Sequence, residues 1–444
     1  MMTMKKNRKN LKKERNRPTK FTGLQKLIIL CLCLVNFTSF LSMSIIAPFF
    51  PKEAEMKGMR ESVSGIIFSV YALVLMVMSP IFGKLLPHVG SSFMFLSGVF
   101  VAGVCNILFG FLDKLTDLTL FTVFCFIVRI FEAVGAAAFT TASCTYVFSM
   151  FPDDIGTVFG IIETSIGIGM SLGPAIGGSL YALGGYGLPF FILGSVVVIN
   201  IPISWLLLRN ISSMPNDETS STTYLQLLSI PKVWIVCVIL MTAAQTQGFL
   251  DPTLEPHMRQ YNFGPGLVGL VFLLMSAAYG VFSPLTGWVT GKMNNKYPVM
   301  IVGLGIMLVS LLVLGPAPFL PFKGSVPLCL AAVTALGISF AFAFIPSFEC
   351  ILLAAFEKGL GDNLVTYSKV SGLWNSVYSL GEVIGPALGG ILMDFFGFPQ
   401  SAVILSAFCA VAMLATFPLL CLKTPNHHKT VNEKTPLLRD NYSI

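Results

Sequence analysis

Charge is what this chain has least of. Asp, Glu, Lys and Arg together make up 11% of 444 residues, against 55% hydrophobic residues. No soluble core of that length needs so much apolar surface, which excludes an ordinary water-soluble globular protein. Long polar segments are scarce too: the longest internal one is 209–232, and other connections, such as 111–118 and 182–188, are short. With no extramembrane domain, neither an ectodomain receptor nor a membrane-bound enzyme has a place for its binding or catalytic groups. The ten cysteines, among them Cys105, Cys237 and Cys409, follow no metal-ligand spacing and lie within or at the ends of apolar runs. That argues against metal binding and disulfides alike. Histidine is limited to His88, His257, His427 and His428, all outside the apolar runs and poorly placed for a proton relay. Short alternating strands are missing as well, which excludes a β-barrel.

What the chain does have is apolar runs. A helix of about 20 apolar residues spans the hydrocarbon layer. Twelve such runs are predicted at 27–49, 62–86, 92–112, 118–148, 156–181, 188–208, 233–255, 265–287, 298–314, 326–355, 365–392 and 401–421. The expected fold is therefore an all-α integral membrane protein. Its parts are a tail (1–26), a six-helix bundle (27–208), a linker (209–232), a second six-helix bundle (233–422) and a second tail (423–444). The first tail is strongly basic, from Lys5 to Lys26, with Glu14 as the opposing charge. By the positive-inside rule it is cytosolic, and an even number of spans returns the other tail to the cytosol. The basic tail lacks interleaved aromatics, so it reads as a topology anchor drawn to acidic lipid, not as a nucleic-acid binder.

The two bundles repeat each other. Gly173-Pro174-Ala175-Ile176-Gly177-Gly178 returns 212 residues later as Gly385-Pro386-Ala387-Leu388-Gly389-Gly390. At a spacing of 204, Pro48 returns as Pro252, Gly65-Ile-Ile-Phe68 as Gly269-Leu-Val-Phe272, and Ser79-Pro80-Ile-Phe-Gly83 as Ser283-Pro284-Leu-Thr-Gly287. Halves repeated in register, with little soluble mass between them, are the sequence form of a two-bundle carrier.

An ionisable residue inside a span costs about 3 kcal/mol, so each one suggests function. Spans 3, 6, 9 and 12 carry none in their apolar runs. Charges lie instead on span 4 (Arg129, Glu132), span 5 (Glu163), span 7 (Asp251, Glu255), span 10 (Glu349) and span 11 (Glu382), with Lys84 and Lys369 near cytosolic span ends where they can snorkel. From the helical rise, Arg129 is near the midplane, Glu163 and Glu349 in the cytosolic half, and Asp251 and Glu382 in the lumenal half. Acids outnumber the central base, a bias that suits an organic cation or protons. Arg129 and Glu132, at i,i+3, can also neutralise one another. Glu255 is expected at the lumenal water boundary, solvated. A desolvated carboxylate can take a proton at vesicle acidity and release it at cytosolic pH. Substrate or proton binding is thus assigned to Arg129, Glu132, Glu163, Asp251, Glu349 and Glu382, and hinge or packing roles to Gly173, Pro174, Gly177, Gly385, Pro386 and Gly389.

The stretch from Gly167 to Gly178 resembles the antiporter motif of the major facilitator superfamily, and Arg129-Ile-Phe-Glu132-Ala-Val-Gly135 resembles its span-4 arginine motif. The loop after span 2 departs from the superfamily pattern: Pro87 and His88 stand for the usual Asp and Arg, and Gly291 for the second-half Asp. Gating there would rest on packing. Leu250-Asp251-Pro252-Thr253-Leu254 resembles the acidic-Pro-Thr-Leu element of the vesicular amine transporter family. Ala47-Pro48-Phe49-Phe50-Pro51, Glu163-Thr164 and Tyr261-Asn-Phe263 resemble its polyamine-transporting branch. Asn36, Ser39 and Ser42 offer only neutral groups where the monoamine members carry an aspartate.

The resemblance implies a major facilitator fold, no enzyme activity, and no cofactor beyond the proton gradient. It implies proton-coupled antiport of polyamines (spermine, spermidine) or related organic cations into acidic vesicles. A plasma-membrane exporter of organic cations and a non-transporting scaffold or sensor are the alternatives. Glu433-Lys-Thr-Pro-Leu437-Leu438 matches an acidic dileucine sorting signal. That implies a clathrin adaptor as partner and residence in secretory, synaptic or lysosome-related vesicles.

Overall fold

A computed structural model describes residues 21–151, 155–208, 224–318, 320–321, 324–360 and 364–420. The helices of the first half are α1 (Gly23–Ser44), α2 (Phe50–Met56), α3 (Glu61–Val89), α4 (Ser91–Gly110), α5 (Leu118–Met150), α6 (Ile155–Gly184) and α7 (Gly187–Leu208). After them come α8 (Tyr224–Leu228), α9 (Pro231–Arg259), α10 (Pro265–Lys292), α11 (Tyr297–Leu314), α12 (Val326–Glu357) and α13 (Leu364–Leu420). Among the described residues there is no strand.

Local chemistry sets where these helices start. Thr22 and Gln25 form a reciprocal capping box ahead of α1, with each side chain bonded to the other's backbone N–H. Helices α9 to α12 each carry proline in the first turn, where no N–H is needed. The expected first span, 27–49, is shortened at its end. Helix α1 stops at Ser44, residues 45–49 form a turn, and α2 begins at Phe50. Pro48 and Pro51 supply no backbone N–H to continue the ladder. Eleven stretches are long and apolar enough to cross a membrane. The last of them, Gly372–Pro418, holds two crossings, because α13 breaks at Gly397, with φ 70° and ψ 177°. Glycine takes a positive φ without the usual steric cost.

Helices α1 to α7 pack around two apolar cores, and α8 to α13 around a third, to which the first bundle adds Ala47 and against which its Phe68 packs. The duplicated blocks join the bundles. A Cβ on Gly65 of α3 would overlap the carbonyl oxygen of Pro386 on α13, and one on Gly269 of α10 would overlap that of Pro174 on α6. Gly390 meets the Glu61 carbonyl and Gly178 meets that of Pro265 in the same reciprocal way. Each contact is the pseudo-twofold image of another. Gly173 and Gly177 instead pack on α1 and its turn, at Leu41 and Ile45, as Gly385 and Gly389 pack on α9, at Gln245 and Phe249. The Gly-Pro blocks are therefore two-faced: one face closes its own bundle and the other closes the seam between bundles.

The seam is tight at one end only. Gly83 lies eighteen residues beyond Gly65, five turns along the same face of α3, and Gly280 lies three turns beyond Gly269 on α10. A Cβ at either would meet nothing within 4 Å. The bundles thus touch at the end near α2 and part toward the other. The closed end also carries polar ties. Asp394 of α13 accepts hydrogen bonds from the backbone N–H groups of Glu61 and Ser62, both at 3.1 Å, capping α3 from the opposite bundle. Arg259 at the end of α9 is ion-paired with Glu55 of α2, 204 residues away in sequence, the same interval as the repeat.

Gly65→Ala is expected to force α3 off α13 and lower the melting temperature of the detergent-solubilised protein, since overpacking costs about 1–3 kcal/mol. Gly83→Ala should leave it unchanged or raise it slightly. Equal effects from the two substitutions would count against a seam closed at one end.

Candidate functional site

The acids on spanning helices fall into two groups once their partners are seen. Arg129 and Glu132, one turn apart on α5, are both buried and form an ion pair with Nη1 to Oε2 at 2.8 Å. Arg129 Nη2 donates to the Met43 carbonyl of α1 at 3.3 Å, and the guanidinium lies over the rings of Tyr71 and Phe109 at 5.2 and 5.7 Å. Asn106 of α4 donates to Glu132 at 3.4 Å and to the Ser42 carbonyl at 3.3 Å. This network binds α1, α3, α4 and α5 through one desolvated charge pair.

Three other acids are paired as well. Glu349 of α12 is about half exposed and bonded to Lys296, near the open end, away from the midplane. Glu357 is ion-paired with Lys232. Glu255 corrects the expectation of a solvated boundary residue: its side chain is 1% exposed and held by Arg259 through Nε at 2.8 Å and Nη2 at 2.6 Å. The reason is length. Helix α9 runs past the predicted limit to Arg259 and is sheathed by its neighbours there. The same extension places His257 inside a spanning helix. It is buried, with its ring stacked on Phe398 at 3.8 Å and Nε2 2.9 Å from the Leu314 carbonyl.

Asp251 and Glu382 are different: neither is in an ion pair among the described residues. Nearly three-quarters (72%) of the spanning window of α9 is buried, yet Asp251 is partly exposed, and so is Gln247 one turn before it. Residues 248–250 and 252–255 are all buried, so Gln247 and Asp251 form one face turned to the space between the bundles. The charge of Arg129, in the opposite bundle, acts on Asp251 across that space. On α13, the backbone of Glu382 lies against Gly248 of α9, and Glu382 and Asp251 interact electrostatically. Glu382 is buried, lies one turn beyond Tyr378, and keeps Oε1 without a partner.

Below Glu382, at successive i,i+4 positions, Trp374 and Tyr378 complete a stripe on α13. Their rings stack at 5.5 Å and 7°, and Phe344 of α12 packs against both. Trp374 Nε1 donates to Ser347 Oγ at 2.8 Å and Gln247 Nε2 to the Tyr378 hydroxyl at 3.3 Å. The sequence reading missed these aromatic residues and Gln247. The spacing Trp374-x3-Tyr378-x3-Glu382 was the available signal. Two unpaired acids beside π faces can hold a cation or protons.

Of the remaining sequence candidates, Glu163 lies on α6 with its side chain outside the described residues. Glu433, Leu437 and Leu438 also lie outside the described residues. Among those described, no group of three or more His, Cys, Asp or Glu side chains is placed to hold a metal ion.

The sequence profile of the Major Facilitator Superfamily matches residues 32–348 and 236–441. The human MFS-type transporter SLC18B1 is 37% identical over 425 residues, covering 93% of this chain and 92% of that protein. The rat chromaffin granule amine transporter is 25% identical over 349 residues, 77% of this chain and 62% of that protein. Among solved structures, a bacterial homologue of the human lysosomal transporter Spinster, in an inward-facing and occupied conformation, has a TM-score of 0.75 at 14% identity. It covers 90% of this chain and is itself covered to 97%, a likeness of fold alone.

Glu132→Leu should lower the melting temperature sharply, because stranding one member of a buried pair costs about 3–5 kcal/mol. The double substitution Arg129→Met with Glu132→Leu should recover much of that loss. No recovery would mean that the pair is not the structural unit described.

Proposed function

We propose a function from one premise: this chain belongs to the major facilitator superfamily and, within it, to the vesicular amine transporter family. It is a multi-pass membrane transporter of the amine type. Its substrates are polyamines such as spermine and spermidine, or closely related organic cations, exchanged for protons. The observation that carries this reading is the pair Asp251 and Glu382: two neighbouring acids in no ion pair among the described residues, while Glu132, Glu255 and Glu349 are ion-paired.

Such a pair can be neutralised by protons or by an ammonium group, but the two compete for the same oxygens. That competition is the coupling. From the open end, which the positive-inside reading makes cytosolic, an amine displaces protons from the pair. The aromatic faces of Trp374 and Tyr378 accept its charge and its methylenes. Rocking then separates the glycine seam and the Arg259–Glu55 tie, and protons from the acidic lumen displace the amine. Arg129, sharing its field with Asp251, is the coupling charge. Glu163 on α6 is a further proton or cation site, whereas Glu349 at the open end is taken up by Lys296. Glu433, Leu437 and Leu438 would then direct the protein through a clathrin adaptor to secretory, synaptic or lysosome-related vesicles, with both tails in the cytosol.

The test is uptake of labelled spermidine by the purified protein in liposomes with an acidic interior. Wild type should accumulate it, and a protonophore should abolish the accumulation. Asp251→Asn and Glu382→Gln should each cut uptake about tenfold or more, a charged contact being worth about 1.5–3 kcal/mol. Neither polyamine nor monoamine accumulating would sink the reading. Uptake that persists without a proton gradient would remove the antiport. Endogenous protein found mainly at the plasma membrane would favour an exporter.

A further inference from the structure

The two seams between the bundles are images of one another in backbone but not in charge. Displaced by 204 residues, Glu61 and Ser62 at the start of α3 correspond to Pro265 and Gly266 at the start of α10. Displaced by 212, Ala182 of α6 corresponds to Asp394 of α13. On the α6–α10 side the contact is neutral: Gly178 meets the Pro265 carbonyl, and a Cβ on Gly266 would lie 3.8 Å from that of Ala182. On the α3–α13 side the same backbone approach, Gly390 on the Glu61 carbonyl, brings two carboxylates to one place. Asp394 accepts from the backbone N–H groups of Glu61 and Ser62, both at 3.1 Å, while the Glu61 side chain keeps Oε2 buried and without a partner. The neutral twin shows that the close approach does not require these acids.

Glu61 precedes the apolar run and is partly exposed, so solvent at the closed end reaches it. The charged groups acting on it are Asp394 from α13, Glu55 from α2, and Glu255 and Arg259 from α9. Arg259 is already engaged by Glu55 and Glu255, Lys52 of α2 acts on Glu255, and Glu53 of α2 is bonded to Tyr181 of α6. Arg60, beside Glu61 in the chain, is exposed. A carboxylate that lacks a donor and faces a second carboxylate favours its protonated form. We infer that Glu61 is a proton site on the lumenal face, and that its protonation lets α3 close on α13. With Glu61 ionised, its charge and that of Asp394 repel across the seam. With a proton on it the repulsion is gone, and Asp394 keeps both N–H groups. The closed seam therefore binds the proton more tightly than the open one, so closure is favoured as pH falls and lost as pH rises. In the exchange cycle, a lumenal proton closes this gate behind the departing amine. The inference rests on the exchange reading only for which face is the acidic one.

The amides of Glu61 and Ser62 are first-turn donors with no acceptor inside α3, so their hydrogen exchange reports whether Asp394 is seated on them. Exchange can be followed in the purified full-length protein without any transport, corrected for its intrinsic dependence on pH. In wild type, protection of these amides should fall about tenfold between about pH 5 and about pH 8, the equivalent of one pH unit in proton affinity. Glu61→Gln, which cannot ionise, should hold them at the acidic level throughout. Glu61→Ala should be equally flat and stands in if the glutamine variant does not fold. Asp394→Asn should also be flat, since the second charge is gone. Wild-type protection that does not change with pH overturns the assignment. So does a Glu61→Gln protein that keeps the wild-type fall and is merely offset from it at every pH, the mark of a structural role. The wild-type fall and the flat Glu61→Gln profile, found without spermidine uptake by wild type, would sink the exchange reading alone.

Discussion

The structure depends on how closely two helix backbones can approach when neither carries a side chain at the contact. At the closed end the carbonyls of Pro174 and Pro386 sit where a methyl group on Gly269 or Gly65 would be. This contact is made twice, by pseudo-twofold images, and it fixes everything around it. It brings α3 to α13 and α6 to α10, sets Asp394 over the start of α3, and leaves the opposite ends of the same helices apart. An opening between the bundles exists because the seam is short. Small residues at helix crossings are the usual means of close association in lipid, where apolar burial between helices adds little.

Charge is distributed on the same plan. In hydrocarbon an ion needs a partner, and the protein supplies one for Glu132, Glu255, Glu349 and Glu357 from its own bases. Those pairs are structural ties between helices. Among the described residues Asp251 and Glu382 receive none and lie in the second bundle, whereas the first bundle faces them with a neutralised arginine. The duplicated scaffold thus has a chemically uneven interior: one half is anchored and the other is available to a cation.

Much of this was legible in the sequence. The apolar runs, the register of the repeat and the two acids stand out, because hydropathy and rare charge are local properties. The partners do not stand out. Arg259 lies beyond the point where hydropathy falls, so Glu255 read as wetted and His257 as outside the membrane, although an ion pair to α2 holds that last turn in place. Pro48 and Pro51 signalled a break that the apolar run concealed. The aromatic stripe went unseen because its two rings carry no charge, and only their i,i+4 spacing to Glu382 marks them. Gln247 is legible only through the tyrosine it touches, a contact between two helices more than a hundred residues apart.

The Arg259–Glu55 tie has a consequence for how such a protein arose. A residue on a twofold axis meets its own copy. In two identical halves, positions 55 and 259 would carry the same side chain, and two like charges there would repel each other. This bond therefore lay beyond the reach of a symmetric ancestor, whether a dimer or a fresh duplication. The glycine contacts suffer no such limit, because identity serves them well. The seam can be as old as the duplication, but the lock on it can only be younger.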